Sequence, residues 1–219
     1  MKPATPEAYE LLHHGCIALS EIETNGMRVN VEYLRLTNIK LDRDIKRIQE
    51  ELREDDIFKL WRREFGSRTN LGSREQLARI LFDVLGHKCT SRTPTGRPKM
   101  DAAAISEIDE PFVKKFVSFE QMKKLRNTFL KGIEKEVCGE FLHPNFNLHN
   151  VQTYRSSSNS PNFQNFPIRD KKAGEIIRKC FIPRSNHRIV EIDYSGLEVR
   201  VAACYHKDPK MLEYIHDPT

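Results

Sequence analysis

One acidic side chain stands where a catalytic carboxylate could act. Asp193 follows residues 188–192, a β-branched run that predicts a strand, and precedes Ser195-Gly196-Leu197-Glu198, which predicts a helix opened by a capping box. A carboxylate at such a junction can face a cleft while regular structure holds its backbone on both sides. However, an Asp beside a helix N-terminus is more often a cap or a partner of the helix dipole, and Glu198 needs no role beyond the capping box. Local spacing leaves catalysis and capping both open.

A second group of polar side chains occupies residues 153–167. Hydroxyl and amide groups surround the guanidinium of Arg155 in the run Thr153-Tyr154-Arg155-Ser156-Ser157-Ser158-Asn159-Ser160-Pro161-Asn162-Phe163-Gln164-Asn165-Phe166-Pro167. Such groups contact phosphates and the hydrogen-bond acceptors of a DNA minor groove. A mobile surface loop of the same composition is the alternative interpretation.

Both stretches resemble motifs of the family A DNA polymerases, the family of bacterial DNA polymerase I. Residues 193–200 read Asp-Tyr-Ser-Gly-Leu-Glu-Val-Arg, and the family's first catalytic motif usually reads Asp-Tyr-Ser-Gln-Ile-Glu-Leu-Arg. Residues 153–167 are similar to its Thr-Gly-Arg-Leu-Ser-Ser-x-x-Pro-Asn-Leu-Gln-Asn-Ile-Pro. The departures are Tyr154 for Gly, Ser156 for Leu and Gly196 for Gln, which suggest a divergent or phage-like branch.

Upstream segments resemble the thumb subdomain of the same family. Residues 21–29 look like the entry to the thumb, residues 70–77 like its DNA-facing turn, and residues 124–129 like part of its long helix. The resemblance covers nearly the whole chain and implies an α+β fold with an antiparallel β-sheet. Its implied parts are an N-terminal helix packing on the palm (1–29), a helical thumb (30–137) and the first part of the palm (138–219).

The resemblance also implies two-metal nucleotidyl transfer to the 3′-hydroxyl of a primer. The carboxylate of Asp193 and the carbonyl of Tyr194 would be ligands of Mg²⁺, which prefers hard oxygen donors. Glu198 would act in catalysis as part of the steric gate against a ribose 2′-hydroxyl. The incoming deoxynucleoside triphosphate would bind along Ser195, Gly196 and Glu198.

Primer–template DNA is the other partner that the resemblance implies. Arg155 would reach the minor-groove edge at the primer terminus, with Gln164 and Asn165 beside it on the duplex. The thumb would bind phosphates, with an affinity that falls as salt rises, through Asn70, Ser73, Lys124 and Arg126.

Two parts of a complete polymerase have no counterpart in these residues. The sequence contains no Lys-x-x-x-Asn-Phe-x-x-x-Tyr-Gly helix of the fingers and no His-Asp-Glu motif with the second metal-binding carboxylate. We therefore expect this chain alone to be inactive and to form part of a longer or split enzyme, whose second polypeptide would carry the fingers and remaining palm. The alternatives are a non-catalytic DNA-binding module and an unrelated metal-dependent nuclease, which the lack of a second acidic cluster beside Asp193 disfavours.

Composition sets the broader class. The 219 residues carry a net charge of +5 and are 38% hydrophobic and 31% charged, as in a modestly basic soluble protein. Apolar runs long enough for a membrane span and the apolar stretch of an export signal are both missing, so we expect a cytoplasmic protein of a bacterial cell or phage-infected host, with no membrane partner. Five widely spaced cysteines predict reduced thiols.

Helical periodicity dominates the chain before residue 139. The pattern predicts a short helix ended by Asn25-Gly26, an amphipathic helix over residues 31–53, and a helix opened by a capping box of Ser73 and Gln76. Pro111 predicts the first residue of a longer helix. We interpret its apolar stripe as packing rather than as a platform for base stacking; it consists of Phe112, Phe116, Phe119, Met122, Leu125, Phe129 and Ile133. A polar loop is predicted over residues 145–169.

Overall fold

The computed structural model describes residues 5–101, 104–105, 107–153, 155–167 and 170–216. The chain divides into two compact units, Met1–Ile182 and Pro183–Thr219. Helices dominate, accompanied by two small two-stranded antiparallel sheets, so the predicted α+β class is confirmed. None of the helices in these ranges combines the length and the apolar character that crossing a membrane requires.

The larger unit begins with helix α1, Pro6–Asn25, which ends at the predicted turn. Thr5 caps the helix, because its Oγ1 accepts a hydrogen bond from Ala8 N at 3.2 Å. Gly26 has a φ of 62°, and a Cβ at this position would lie 2.9 Å from the carbonyl oxygen of Leu142. The turn therefore requires glycine for its left-handed backbone and for the close approach of the neighbouring chain.

The first sheet joins segments that are distant in sequence. Strand β1, Met27–Arg28, pairs antiparallel with β2, Phe141–Leu142. Arg28 strengthens the pairing, since its Nε and Nη2 donate to the Glu140 carboxylate at 3.0 and 2.9 Å. The residues after α1 are thereby tied to the part of the chain that follows residue 138.

The second sheet lies within the predicted polar loop. Strand β3, Asn145–Asn147, pairs antiparallel with β4, Ser157–Asn159, and a 3₁₀ turn follows over Phe163–Asn165. The prediction of a polar loop over all of residues 145–169 was thus wrong in part, because local backbone pairing forms two short strands within this stretch. Tyr154 and residues 168–169 lie outside the described residues.

Three helices follow the first strand. They are α2, Val31–Glu54; α3, Asp56–Phe65; and α4, Arg74–Ala78, which continues in wider π-helical turns over Arg79–Val84. The amphipathic helix predicted over residues 31–53 is confirmed as α2. Gly86, with a φ of 73°, follows the wide turns and provides the left-handed backbone that commonly ends a helix.

The predicted long helix is present but contains a wide turn. It comprises α5, Pro111–Lys124, a π-helical segment over Leu125–Leu130, and α6, Lys131–Glu136. Its apolar stripe faces the interior, so the packing interpretation is confirmed. The buried members are Phe112, Phe116, Phe119, Leu125 and Ile133, and the partly buried members are Met122 and Phe129.

Two buried clusters form the core of the larger unit. The first surrounds Trp61 and includes Leu77 and Phe116. The second brings α2, α6 and β2 together with helix α7, Lys171–Arg178, through Leu34, Ile133, Leu142 and Ile177. Each cluster fixes one end of the long helix.

The smaller unit corrects the predicted strand. Residues 188–192 form no strand, and all three of their apolar side chains are exposed, Ile189 at 57%, Val190 at 75% and Ile192 at 90%. A strand requires a neighbour for its backbone hydrogen bonds, and no described strand pairs with this segment. Asp193 therefore follows irregular chain rather than a strand end.

The second predicted capping box is also wrong. Helix α8 spans Leu197–His206, and its N-cap is Gly196, in the left-handed conformation with φ 58° and ψ 38°, without a side-chain cap bond. The left-handed Gly196 thus occupies the cap position that Ser195 was predicted to fill. A last helix, α9, spans Pro209–His216.

Candidate functional site

Asn70 and Ser73 lie at the two ends of a tight turn before α4. Asn70 Oδ1 accepts a hydrogen bond from Gly72 N at 2.9 Å, and Ser73 N donates to Asn70 O at 2.9 Å. Ser73 Oγ accepts from Gln76 N at 3.3 Å, which confirms half of the first capping box. In these bonds each side chain uses its oxygen as an acceptor. The amide nitrogen of Asn70 and the hydroxyl proton of Ser73 can therefore still donate to phosphate oxygens.

The other half of that capping box is wrong. Instead of returning to Ser73, the side-chain Oε1 of Gln76 accepts from Trp61 Nε1 and from Asn70 N, each at 2.9 Å. Its Nε2 donates to Arg68 O at 2.9 Å. The buried indole N–H requires an acceptor, and this need takes precedence over a reciprocal cap.

Lys124 and Arg126 differ sharply in exposure and in ion pairing, although they are only two positions apart. Lys124 is exposed, its ammonium lies 6.0 Å from the centre of the Phe129 ring, and it lines a cleft of roughly 760 Å³. The Arg126 side chain is only 14% exposed and is paired with Asp42 and Glu134. Lys124 is thus available to an anion, whereas a phosphate contact from Arg126 would require two ion pairs to open.

Gln164 and Asn165 lie on the 3₁₀ turn that folds back against β4. Gln164 Nε2 donates to Ser156 Oγ at 2.6 Å, next to Arg155 in the chain. Gln164 N donates to the buried Ser158 Oγ at 3.4 Å. Arg155, Gln164 and Asn165 are all exposed. The turn therefore brings Gln164 close to the segment that carries Arg155.

An aromatic cluster holds this turn in place, and the sequence analysis missed it. The Phe163 ring centre lies 5.3 Å from that of Phe166 and 5.4 Å from that of Phe181. A Cβ on Gly174 in α7 would lie 2.9 Å from the carbonyl oxygen of Pro167. The sequence signals that could have indicated this cluster are Gly174 itself and the alternation of aromatic with amide residues. The ring contacts and the close approach at Gly174 anchor the polar turn on the second buried cluster.

The remaining predicted site residues belong to the smaller unit and are all exposed. Asp193 and Tyr194 precede the turn at Ser195 and Gly196, and Glu198 lies in the first turn of α8. Arg200, which the sequence analysis did not select, holds this segment. Its Nε donates to the carbonyl of Ser195 at 2.8 Å and its Nη1 to that of Ile215 at 3.1 Å.

The donor set for magnesium is partial within this chain. Asp193 offers a carboxylate and Tyr194 a backbone carbonyl, both hard oxygen donors of the kind that Mg²⁺ takes. In the described ranges no group of three or more His, Cys, Asp or Glu side chains is placed to hold a metal. The chemistry of the donors fits the ion, but these two residues alone do not complete its coordination.

The five cysteines are free, as predicted. Burial raises the pKa of the Cys180 thiol to about 12, and its Sγ donates to Ile176 O at 3.4 Å. This thiol is therefore unreactive at neutral pH and packs as a small apolar group.

Comparisons with known proteins agree on one family. The profile described as DNA polymerase family A matches residues 32–218. The chain is 33% identical over 204 residues to the thermostable DNA polymerase I of Thermus thermophilus and 32% identical to that of Thermus aquaticus, in each case covering 91% of this chain and 23% of the relative. It is 30% identical over 205 residues to DNA polymerase I of Pseudomonas aeruginosa, covering 91% of this chain and 21% of that protein.

A solved structure supports the same grouping. The polymerase domain of Pol1 from M. smegmatis, in complex with DNA primer-template and dNTP, aligns with a TM-score of 0.72 and 30% identity. The alignment covers 89% of this chain and 33% of that one. The chain spans less than a quarter of the length of the three curated DNA polymerase I relatives named above.

Proposed function

The chain belongs to DNA polymerase family A, and we propose that it forms part of a DNA-directed DNA polymerase that extends a primer during DNA replication or repair. The carrying observation is the fold of the matched region, which is similar to a polymerase domain solved with DNA primer-template and dNTP. Both chemical motifs, residues 153–167 and 193–200, fall inside the region that the family profile matches.

The proposed division of labour follows the expected subdomains. Residues 30–137 serve as the thumb and residues 138–219 as the first part of the palm. Residues 1–29 pack on the palm as its N-terminal helix. The pairing of β1 with β2 supports this last assignment, because it joins the residues after α1 to those after residue 138.

Two surfaces of the larger unit contact the primer–template duplex in this proposal. Asn70, Ser73 and Lys124 bind backbone phosphates, since each offers an N–H or O–H donor. Arg155, Gln164 and Asn165 meet minor-groove acceptors common to all base pairs, which senses geometry rather than sequence. The paired Arg126 guanidinium contributes indirectly, by fixing the helix that presents Lys124.

The chemical step depends on the smaller unit. Asp193 and Tyr194 hold magnesium in the complete enzyme, and the remaining carboxylate ligands come from the rest of the polymerase, in the same or a second polypeptide. When bound, two such ions neutralise the triphosphate and activate the primer hydroxyl. Ser195 and Gly196 lie beside the incoming nucleotide, and Glu198 limits the room at its 2′ position.

Fluorescence anisotropy with a labelled primer–template duplex tests the binding part of the proposal. The purified chain should bind duplexes of unrelated sequence with similar, weak affinity that falls steeply as salt rises. It should incorporate no nucleotide by itself. A chain that binds no duplex at low salt, or that binds one sequence selectively, would contradict the proposed polymerase role.

A further inference from the structure

The side chain of Gln76 makes more hydrogen bonds than its position in the first turn of α4 requires. Its Oε1 accepts two hydrogen bonds, from Trp61 Nε1 and Asn70 N, and its Nε2 donates a third to Arg68 O. All three distances are 2.9 Å. One amide group thus connects a core side chain with the backbone on both sides of Thr69.

The Trp61 end of this connection is rigid. The indole is fully buried and packs against Phe58 and Phe116, with ring centres 6.0 and 6.5 Å away. A buried N–H without an acceptor is strongly unfavourable, so Trp61 holds Gln76 Oε1 in place as firmly as Gln76 satisfies Trp61. The anchor therefore belongs to the first buried cluster.

The Asn70 end of the connection is the turn that carries the proposed phosphate donors. Asn70 N donates a hydrogen bond to Gln76 Oε1. Asn70 Oδ1 accepts one from Gly72 N, and Asn70 O accepts one from Ser73 N. Within this turn Leu71 is partly buried against the first buried cluster, whereas Asn70 is exposed. The hydrogen bond to Gln76 therefore supplies the direct link between Asn70 and the core.

We propose that Gln76 is a positioning residue for duplex binding, which holds the turn of Asn70 and Ser73 against the buried Trp61 in its phosphate-binding geometry. This inference rests on the proposed function, because it assumes that the turn contacts DNA. Gln76 touches no DNA itself and acts only through the turn.

The chemistry of the site explains why the residue is glutamine. The position requires two acceptor lone pairs and one donor on a single planar group. An ionised glutamate at position 76 would keep the bonds from Trp61 and Asn70 but would set a carboxylate oxygen against the carbonyl of Arg68. Protonation of that carboxylate would restore the donor, so Gln76→Glu should behave differently above and below its pKa.

Trp61 is the only tryptophan in the chain, so its fluorescence reports the state of this connection directly. We would measure Trp61 emission and duplex affinity for Gln76→Met, Gln76→Glu and the matched control Gln49→Met on α2. Gln76→Met should shift the emission and weaken duplex binding by about fivefold, the factor that corresponds to one typical hydrogen bond. Gln76→Glu should regain both properties as pH falls from about 7 to about 4, through the ordinary range of a glutamate carboxyl, and Gln49→Met should resemble the wild type.

A double variant separates positioning from a general loss of structure. If Gln76 acts through the turn, Asn70→Ala should weaken binding in the wild type but add nothing in the Gln76→Met background. Fully additive losses, or unchanged duplex affinity in a folded Gln76→Met chain, would overturn the inference and leave the proposed function standing. A wild-type chain that binds no duplex would overturn both. If Gln76→Met does not fold, the pH response of Gln76→Glu decides, and an emission and affinity independent of pH would refute the role.

Discussion

The guanidinium of Arg126 donates two hydrogen bonds to the carboxylate of Asp42, which lies 84 positions earlier in the chain, at 3.0 and 3.1 Å. Arg126 Nη1 also lies 3.5 Å from Glu134 Oε2, the oxygen that accepts from Asn38 Nδ2 at 2.9 Å. Asn38 is only 3% exposed. This network fastens the wide turn Leu125–Leu130 to α2 and so determines the orientation of the helix that carries Lys124.

Removing the guanidinium should reduce stability before it affects any DNA contact. We expect Arg126→Met to lower the free energy of unfolding by about 1.5–3 kcal/mol, because Asp42 loses two charge-assisted hydrogen bonds and Glu134 loses an ion pair in a half-buried setting. Urea denaturation followed by circular dichroism measures the change. Equal stability together with a large loss of duplex affinity would mean that Arg126 contacts phosphate directly.

Lys124 should show the opposite behaviour. Its ammonium is exposed, so Lys124→Met should leave stability within about 0.5 kcal/mol of the wild type. If it neutralises one phosphate, the slope of log affinity against log salt should become shallower by about one. Lys59→Met on α3 removes the same charge outside the proposed interface and should leave the slope unchanged. Equal effects of the two substitutions would indicate a general charge effect rather than a site.

Gly174 in α7 and Gly132 in α6 both lie in helices, but an added Cβ would meet different surroundings at the two positions. A Cβ on Gly174 would lie 2.9 Å from Pro167 O, whereas one on Gly132 in α6 meets its nearest neighbour, Pro161 Cβ, at 4.0 Å. Gly174→Ala should therefore lower the free energy of unfolding by about 1–3 kcal/mol through overpacking. Gly132→Ala should raise it by up to about 1 kcal/mol, because alanine favours the helix. Thermal unfolding of both variants checks the difference in sign.

The buried thiol of Cys180 predicts a loss of stability at alkaline pH. Burial raises its pKa in the folded state from 9.0 to about 12, so the folded protein retains a proton that the unfolded chain releases. The thiol's contribution is fully present below pH 9 and is lost as pH rises from 9 toward about 12. Cys180→Ala should remove this part of the pH dependence in urea titrations. An identical alkaline decline in the variant would assign the effect to other groups.

Much of the helical structure could be predicted from the sequence. The boundaries of α2 and the buried stripe of α5 follow from the spacing of apolar residues, because each helix buries one apolar face in the core. The position of Pro111 at the start of α5 follows from its missing N–H. Local patterns were sufficient wherever one helix face packs against one core.

The errors share a different cause, because each depended on a partner distant in sequence. Residues 188–192 have the composition of a strand, but no described strand supplies their backbone partners. Gln76 has the spacing of a capping arm, but the buried indole of Trp61 claims its oxygen. The predicted phosphate contact of Arg126 is a separate case and stays a prediction, although Asp42 on α2 accepts two hydrogen bonds from its guanidinium. Residue type predicted the chemistry of each group, and tertiary structure decided which partner it meets.

We propose that Asp193 acts as a metal ligand of a polymerase, and nucleotide incorporation by Asp193→Asn distinguishes this role from a purely structural one. The measurement requires a protein with the fingers and remaining palm restored, by fusion or as a second chain. Asparagine keeps the size of the side chain but removes the charge that binds cations. Incorporation should fall by at least about a thousandfold, since ligands of this kind supply several kcal/mol of barrier reduction. Duplex affinity and melting temperature should remain those of the wild type. Normal incorporation combined with a lower melting temperature would contradict the claim and show that Asp193 only stabilises the start of α8.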